Sequence, residues 1–191
     1  MKILIADIEK HLDYKLKRKF ISVGIDTAQI SGIVFLKTDD TYLYMDSLVL
    51  SFKTKDHKEI YESMIKTFEK LFEVENLAVI EEVFVGFSRA GSVELAKYGS
   101  FAISACVRKN IPYETISATS ARAKFQINTK KYGKGKSKEA VADFVKDLGI
   151  DFKDNNIADG FVLALCGLCE GLDFRSQAAI KKEAKKKKKK R

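Results

Sequence analysis

The segment Ala78-Val79-Ile80-Glu81-Glu82-Val83-Phe84 constrains the chain most, because an apolar run ends there in adjacent carboxylates. Val, Ile and Ala residues in succession read as a strand buried on both faces. An ionised carboxylate is costly to bury unpaired, so it belongs at the end of such a strand, where it meets solvent or a cation. A strand that simply stops at two solvated glutamates would satisfy the same pattern. Two further acids keep equally apolar company, however. Asp26 lies in Ile21-Ser22-Val23-Gly24-Ile25-Asp26-Thr27, and Asp159 lies in Asn156-Ile157-Ala158-Asp159-Gly160-Phe161-Val162-Leu163-Ala164-Leu165. Three acids, each embedded in a core element, point to one shared metal-binding site.

With 191 residues, 46% of them hydrophobic, the chain can bury the core of one globular domain. No apolar run reaches bilayer length. Met1-Lys2-Ile3-Leu4-Ile5-Ala6-Asp7 meets an acid too early for a secretory signal, so the expected compartment is intracellular, cytoplasmic or organellar. The three cysteines make no disulfide framework; Cys166 and Cys169 form a C-x-x-C inside an apolar stretch with no second pair, which reads as buried thiols rather than zinc ligands. His11 and His57 have no companions that would make a site.

Charge is distributed unevenly. Residues 181–191 carry nine Lys or Arg against one Glu, which is +8 of the net +9 and leaves +1 for the other 180 residues. Between Arg122 and Lys138 there are seven bases (Arg122, Lys124, Lys130, Lys131, Lys134, Lys136, Lys138) and no acid. A solvated loop would show the same bias, but a polyanion partner follows naturally from it.

In chain order, Leu4, Ile5, Ile8, His11, Leu12 and Leu16 fall at helical spacing, which predicts a basic amphipathic extension over residues 1–20. Strands are predicted at 21–26, 31–36 and 41–53, joined by short links as an antiparallel meander, with Gly24 leaving room for a close neighbour. Asp56 caps a helix over 56–74. The buried strand follows at 77–84, then a small-residue loop, a helix over 92–107 and a short strand at 113–116 after Pro112, the only proline. A helical turn is predicted at 120–125 and a Gly-containing basic loop at 126–137. Ser137 is predicted to cap a helix to Leu148, which Gly149 closes, and Asp154 or Asn155 to cap the last helix, 156–172. Residues 21–172 form the domain; 173–191 are a lysine-rich tail without core pattern, expected to be disordered.

This order resembles the ribonuclease H-like fold: α/β, a mixed five-stranded sheet flanked by helices. Within it, Gly24-Ile25-Asp26, Ile80-Glu81-Glu82-Val83-Phe84 with Leu95-Ala96-Lys97-Tyr98-Gly99 after it, and Ile157-Ala158-Asp159-Gly160-Phe161-Val162-Leu163-Ala164 are similar to the acidic motifs of the RuvC-type Holliday junction resolvases, in their phage- and virus-like branch. The likeness covers about residues 21–170. It implies a homodimeric endonuclease that nicks four-way DNA junctions symmetrically. It implies two Mg²⁺ ions, for which Mn²⁺ substitutes, held by Asp26, Glu81 and Asp159, and no small-molecule cofactor. Phe84 matches the loop aromatic that wedges into the junction centre, and Phe87 shares that expectation. Lys138, and less directly Lys124, match lysines at the scissile phosphate. The 72–74 end and the helix from Ser92 are candidate dimer faces.

The chain departs from the family one helical turn before the last aspartate, where an acid is usual and Asn156 stands. An amide oxygen can ligate a hard cation but brings no charge; Asp154, two residues earlier, is the alternative ligand. Other branched-DNA nucleases, acting on flaps or forks, would need the same site. A non-catalytic DNA-binding relative would account for Asn156 but not for the three retained acids. Gly24-Ile25-Asp26-Thr27 is also similar to an actin-like phosphate loop, yet the chain is too short for the two lobes that such a domain needs.

Overall fold

The computed structural model describes residues 1–28, 30–54, 56–73, 75–83, 89–133, 136–152 and 154–175, with the side chains of 89–92, 155 and 156 left out. The chain runs β1 (Lys2–Leu4), α1 (Ile5–Glu9), β2 (Ile21–Ile25), β3 (Ile30–Thr38), β4 (Tyr42–Ser51), α2 (His57–Leu71), β5 (Leu77–Glu81), α3 (Arg89–Lys109), β6 (Tyr113–Ile116), α4 (Ala118–Lys124), a 3-10 turn (Thr129–Tyr132), α5 (Ser137–Asp147) and α6 (Asn155–Leu168). The sheet order is β1-β4-β3-β2-β5-β6. The predicted meander is present: β3 is antiparallel to β2 and to β4, whereas β5 is parallel to β2 and β6 to β5.

Among the described residues six strands, not five, make the sheet. Lys2–Leu4 lies antiparallel along Tyr42–Tyr44, with Ile3 opposite Leu43, and the Met1 amino group and Ile5 N–H extend the ladder to Met45 and Thr41. The N-terminal segment is accordingly part of the domain rather than a helical extension. Its helix stops at Glu9, whose carboxylate accepts from Leu16 N–H at 2.8 Å and pairs with Lys15 and Arg18. This turns the chain back, so that Ile5, Ile8 and Leu16 enter the core.

The sheet separates two apolar layers. On one side α2 and α3 cover Val23, Ile25, Ile33, Ala78 and Ile80. On the other α6, assisted by α4 and α5, covers Val34, Leu36, Val79 and Ile116. Strand alternation therefore gives Ser22, Gly24 and Asp26 on β2, and Val79 and Glu81 on β5, to the α6 side. Glu82 falls on the opposite side and is exposed.

The caps fit this frame. Asp56 accepts from Lys58 N–H at the start of α2, and Ser117 accepts from Ser120 N–H at the start of α4. Ser137 is the first residue of α5 rather than its cap, because Lys136 holds the cap position without a side-chain bond. Gly149 closes α5 at φ +79°, as expected. Cys106, Cys166 and Cys169 are free and buried. No helix among the described residues is long and apolar enough to cross a membrane.

Candidate metal and nucleic-acid site

Asp26 is the first residue beyond β2, and its N–H still bonds to Gly32 O at 3.0 Å. Glu81 is the last residue of β5, one position past the Ile25–Ile80 pair of the parallel ladder. The two carboxyls thus emerge side by side at the C-terminal ends of neighbouring parallel strands, and they hydrogen-bond to one another. Asp159 reaches them from α6, two residues after Ile157 and on the face that meets the sheet.

Close approach of α6 depends on missing side chains. A Cβ on Gly24 would lie 2.1 Å from Gly160 O and 2.3 Å from Ala164 N; one on Gly160 would lie 2.8 Å from Gly32 O. With both glycines the helix backbone rests on the β2 and β3 backbones, and Asp159 sits at the strand ends.

Burial dominates the electrostatics of the pair. It pushes the Glu81 carboxyl up to about 9, with the hydrogen bond and charge of Asp26 and the charge of Asp159 adding to the effect and Arg122 opposing it. Asp26 is also raised by burial; the bond from Glu81 and the cations Lys138 and Arg122 work against this, while Asp159 adds to it. Burial and mutual repulsion therefore favour one proton held between the two carboxyls.

Asp159 is held differently. Arg122 places Nη2 at 2.7 Å and Nε at 3.3 Å from its Oδ1, in a pair whose side chains are only 15% and 10% exposed. The three carboxyls face one region, with charge acting between them, but they do not close on a common point. Among the described residues, no three acidic, histidine or cysteine side chains come together as a ready ion site. The donors themselves suit a hard divalent cation: all are carboxylate oxygens, and two of them are buried at a cost that a cation would relieve.

The other predicted residues scatter. Lys138 is exposed in the first turn of α5 and its charge acts on Asp26. Lys130, Lys131 and Lys136 are exposed, Lys136 pairing with Glu139 at 3.6 Å. Lys124 is buried instead, with Nζ bonded to Arg175 O at 3.1 Å, so it does not present its charge to a phosphate. Its helix turns it toward the α6 residue Cys166, two turns from Asp159. Arg122 likewise spends its charge on Asp159 rather than on solvent. The backbone of Asn156 lies in the first turn of α6; its side chain lies outside the described residues, as do Phe84, Phe87, Lys134 and the tail from residue 176. Leu172, at 9% exposure, and the Asp173–Arg175 pair at 2.6 Å close the described chain. Phe72, at one expected dimer face, is wholly buried against Phe68, and Val74 lies outside the described residues.

No protein-family model matches the sequence, and no curated protein sequence matches it. Solved structures do. Thermus thermophilus RuvC in complex with Holliday junction substrate matches at a TM-score of 0.62 and 14% identity, over 76% of this chain and 91% of that one. A second Thermus thermophilus RuvC structure matches at 0.61 and 14%, over 76% and 92%. The yeast mitochondrial Holliday junction resolvase Ydc2 matches at 0.50 and 14%, over 82% and 81%. The chain has the RuvC fold.

In this sheet Asp26 and Glu81 occupy adjacent strand ends and Asp159 lies early in α6. The pairing of Arg122 with Asp159 is the feature of the site that sequence reasoning did not foresee. Its signal was present: Arg122 is the single arginine among seven bases, and a planar guanidinium suits a buried carboxylate better than an ammonium does.

Proposed function

We propose that this protein is a metal-dependent endonuclease that resolves four-way DNA junctions as a homodimer. The observation that carries the reading is the buried Asp26–Glu81 pair at adjacent strand ends with Asp159 brought over it by α6, in a fold shared with a RuvC seen on a Holliday junction.

Asp26, Glu81 and Asp159, with Asn156 as the fourth donor, would hold a pair of Mg²⁺ or Mn²⁺ ions. Such ions supply Lewis acidity and an activated water for phosphodiester hydrolysis. The chain's own contributions are distinct from that chemistry. The Asp26–Glu81 pair gives up its shared proton when it takes a cation, since both carboxylates must then be ionised. Lys138, exposed beside Asp26, orients the scissile phosphate and offsets charge that develops on it. Lys130, Lys131 and Lys136 bind flanking phosphates, which positions the strand without reading its sequence. Phe84 and Phe87, just beyond β5, are assigned to the junction centre, where stacking on a base contributes roughly 1–3 kcal/mol.

Two coordinated nicks require two sites, and α3 offers a face for the second copy. Val93, Ala96, Ser100 and Val107 recur at helical spacing and are all exposed, Val93 and Val107 by 56% and 59%. Sedimentation of a Val107→Arg variant as a monomer, beside a dimeric wild type, tests this face.

The direct test compares labelled four-way junction, fork, flap and linear duplex in Mg²⁺, with Asp26→Asn as the blank. Selective paired nicking of the four-way junction supports the proposal. Equal cutting of flaps or forks assigns the site to a broader branched-DNA nuclease. A second reading, a non-catalytic DNA-binding relative, is favoured by the Arg122–Asp159 pair, which neutralises one ligand internally. Junction binding with no cleavage at any Mg²⁺ or Mn²⁺ concentration would select it.

A further inference from the structure

Arg122 stands at a boundary. On one side it lines the narrow crevice that contains Glu81 and Asp159. On the other it lines a cavity of about 220 Å³ with Thr119, Asn128, Thr129 and Lys130. Its lining side chains include two cationic ones, two hydroxyls and an amide beside the apolar Ala123 and Ile127, and no acid. A guanidinium with a neighbouring ammonium and hydroxyl donors is the chemistry of a phosphodiester site.

The ion pair makes the two sides dependent on each other. Both close contacts of Arg122 fall on one Asp159 oxygen, and both side chains are largely removed from water. Parting them in place would leave a buried carboxylate and a buried guanidinium unpaired, which is strongly unfavourable. Parting becomes favourable when each finds another partner: a phosphate for the arginine and a cation for the aspartate.

We propose that the cavity beside Arg122 is a phosphodiester subsite, and that a DNA phosphate entering it draws Arg122 off Asp159 and so frees that carboxylate for metal. Arg122 is then a counter-ion that keeps the site closed to metal until DNA arrives. DNA and metal bind with positive coupling through it, and the coupling is reciprocal. This inference rests on the nuclease reading above and adds to it a substrate subsite and a binding order.

The experiment measures Mn²⁺ affinity of the full chain, from the electron paramagnetic resonance of the free ion. It is run with and without a four-way junction, in the cold, with the DNA checked as intact by gel. The wild type is compared with Arg122→Ala and with Lys130→Ala, whose exposed side chain makes the second variant safe for folding. In wild type the junction tightens Mn²⁺ binding by about tenfold or more, within the usual range of such couplings. Arg122→Ala binds Mn²⁺ more tightly than wild type without DNA, and the effect of the junction shrinks by the same factor. Lys130→Ala loses part of the tightening that the junction produces. Equal DNA-free affinities in wild type and Arg122→Ala, or equal tightening by DNA in all three proteins, would overturn the gate alone. A wild type that binds neither Mn²⁺ nor the junction would overturn the nuclease reading, and this inference with it.

Discussion

Replacing Gly24 by alanine tests how the site is assembled without touching any acid. The new Cβ would lie 2.1 Å from Gly160 O and 2.3 Å from Ala164 N, where ordinary contact begins at 3.4 Å. The obstacle is helix backbone, which has no rotamer to change, so α6 must move away from β2 by about 1.3 Å, the difference between 3.4 and 2.1 Å. Overpacking of this kind typically costs about 1–3 kcal/mol, and a rigid obstacle places it near the upper end. For a chain of this size 3 kcal/mol corresponds to a fall in melting temperature of roughly 6–12 °C. The same displacement carries Asp159 away from Asp26 and Glu81, and misplacement of a reacting group by about 1 Å costs on the order of 100-fold in rate. Thermal denaturation followed by circular dichroism, together with junction cleavage well below the melting point, reads both effects. A Gly24→Ala protein that melts within about 2 °C of wild type and cleaves normally would refute the close packing of α6 on β2 as the device that builds the site.

Asp26→Asn, Glu81→Gln and Asp159→Asn each abolish cleavage and preserve junction binding by gel shift, because each removes a proposed ion ligand and leaves the proposed phosphate-binding cations in place. Near-normal cleavage by any one removes that residue from the site. Metal-free stability depends on pH through Glu81. Its folded value is raised from 4.5 to about 9, so its contribution is fully present below 4.5 and is lost as pH rises toward 9. Melting temperature in chelator therefore falls across that window in wild type and falls less in Glu81→Gln; parallel curves would contradict the shared proton. Deleting residues 176–191, nine of them basic, weakens binding to all DNA shapes alike. The slope of log K against log salt drops by about 0.9 for each phosphate that the tail had neutralised, and an unchanged slope would mean the tail does not bind DNA. Asn156→Asp lowers the Mg²⁺ concentration for half-maximal cleavage and Asn156→Ala raises it. Asp154→Ala costs on the order of 1 kcal/mol in helix stability, and loss of cleavage in a folded Asp154→Ala protein would move the fourth ligand to Asp154.

The parts of this molecule legible in its sequence are those that local pattern determines. Continuous apolar runs located β2 and β5. Gly24 inside a strand announced a close neighbour, which is α6. Asp56 marked the start of α2. The sixth strand was illegible because Lys2–Leu4 has only three residues, and the segment's 3.6-residue spacing matched a helix equally well. What ended that helix was a tertiary clasp from Glu9 to Leu16, Lys15 and Arg18, which no local pattern encodes. The orientation of two residues in the basic run was hidden in a similar way. Counting charge between Arg122 and Lys138 could not reveal that α4 turns Lys124 into the core and Arg122 onto Asp159, since burial of a cation depends on the partner opposite it.

The central claim is that Asp26, Glu81 and Asp159 form a divalent-metal site. The most direct measurement is an anomalous difference map from crystals of the protein with junction DNA, soaked in Mn²⁺ after transfer to low temperature. The account predicts Mn²⁺ peaks within bonding distance of oxygens from all three carboxylates, with Arg122 turned from Asp159 toward phosphate. Density for bound DNA with no Mn²⁺ peak at these carboxylates, and Arg122 still on Asp159, would contradict it.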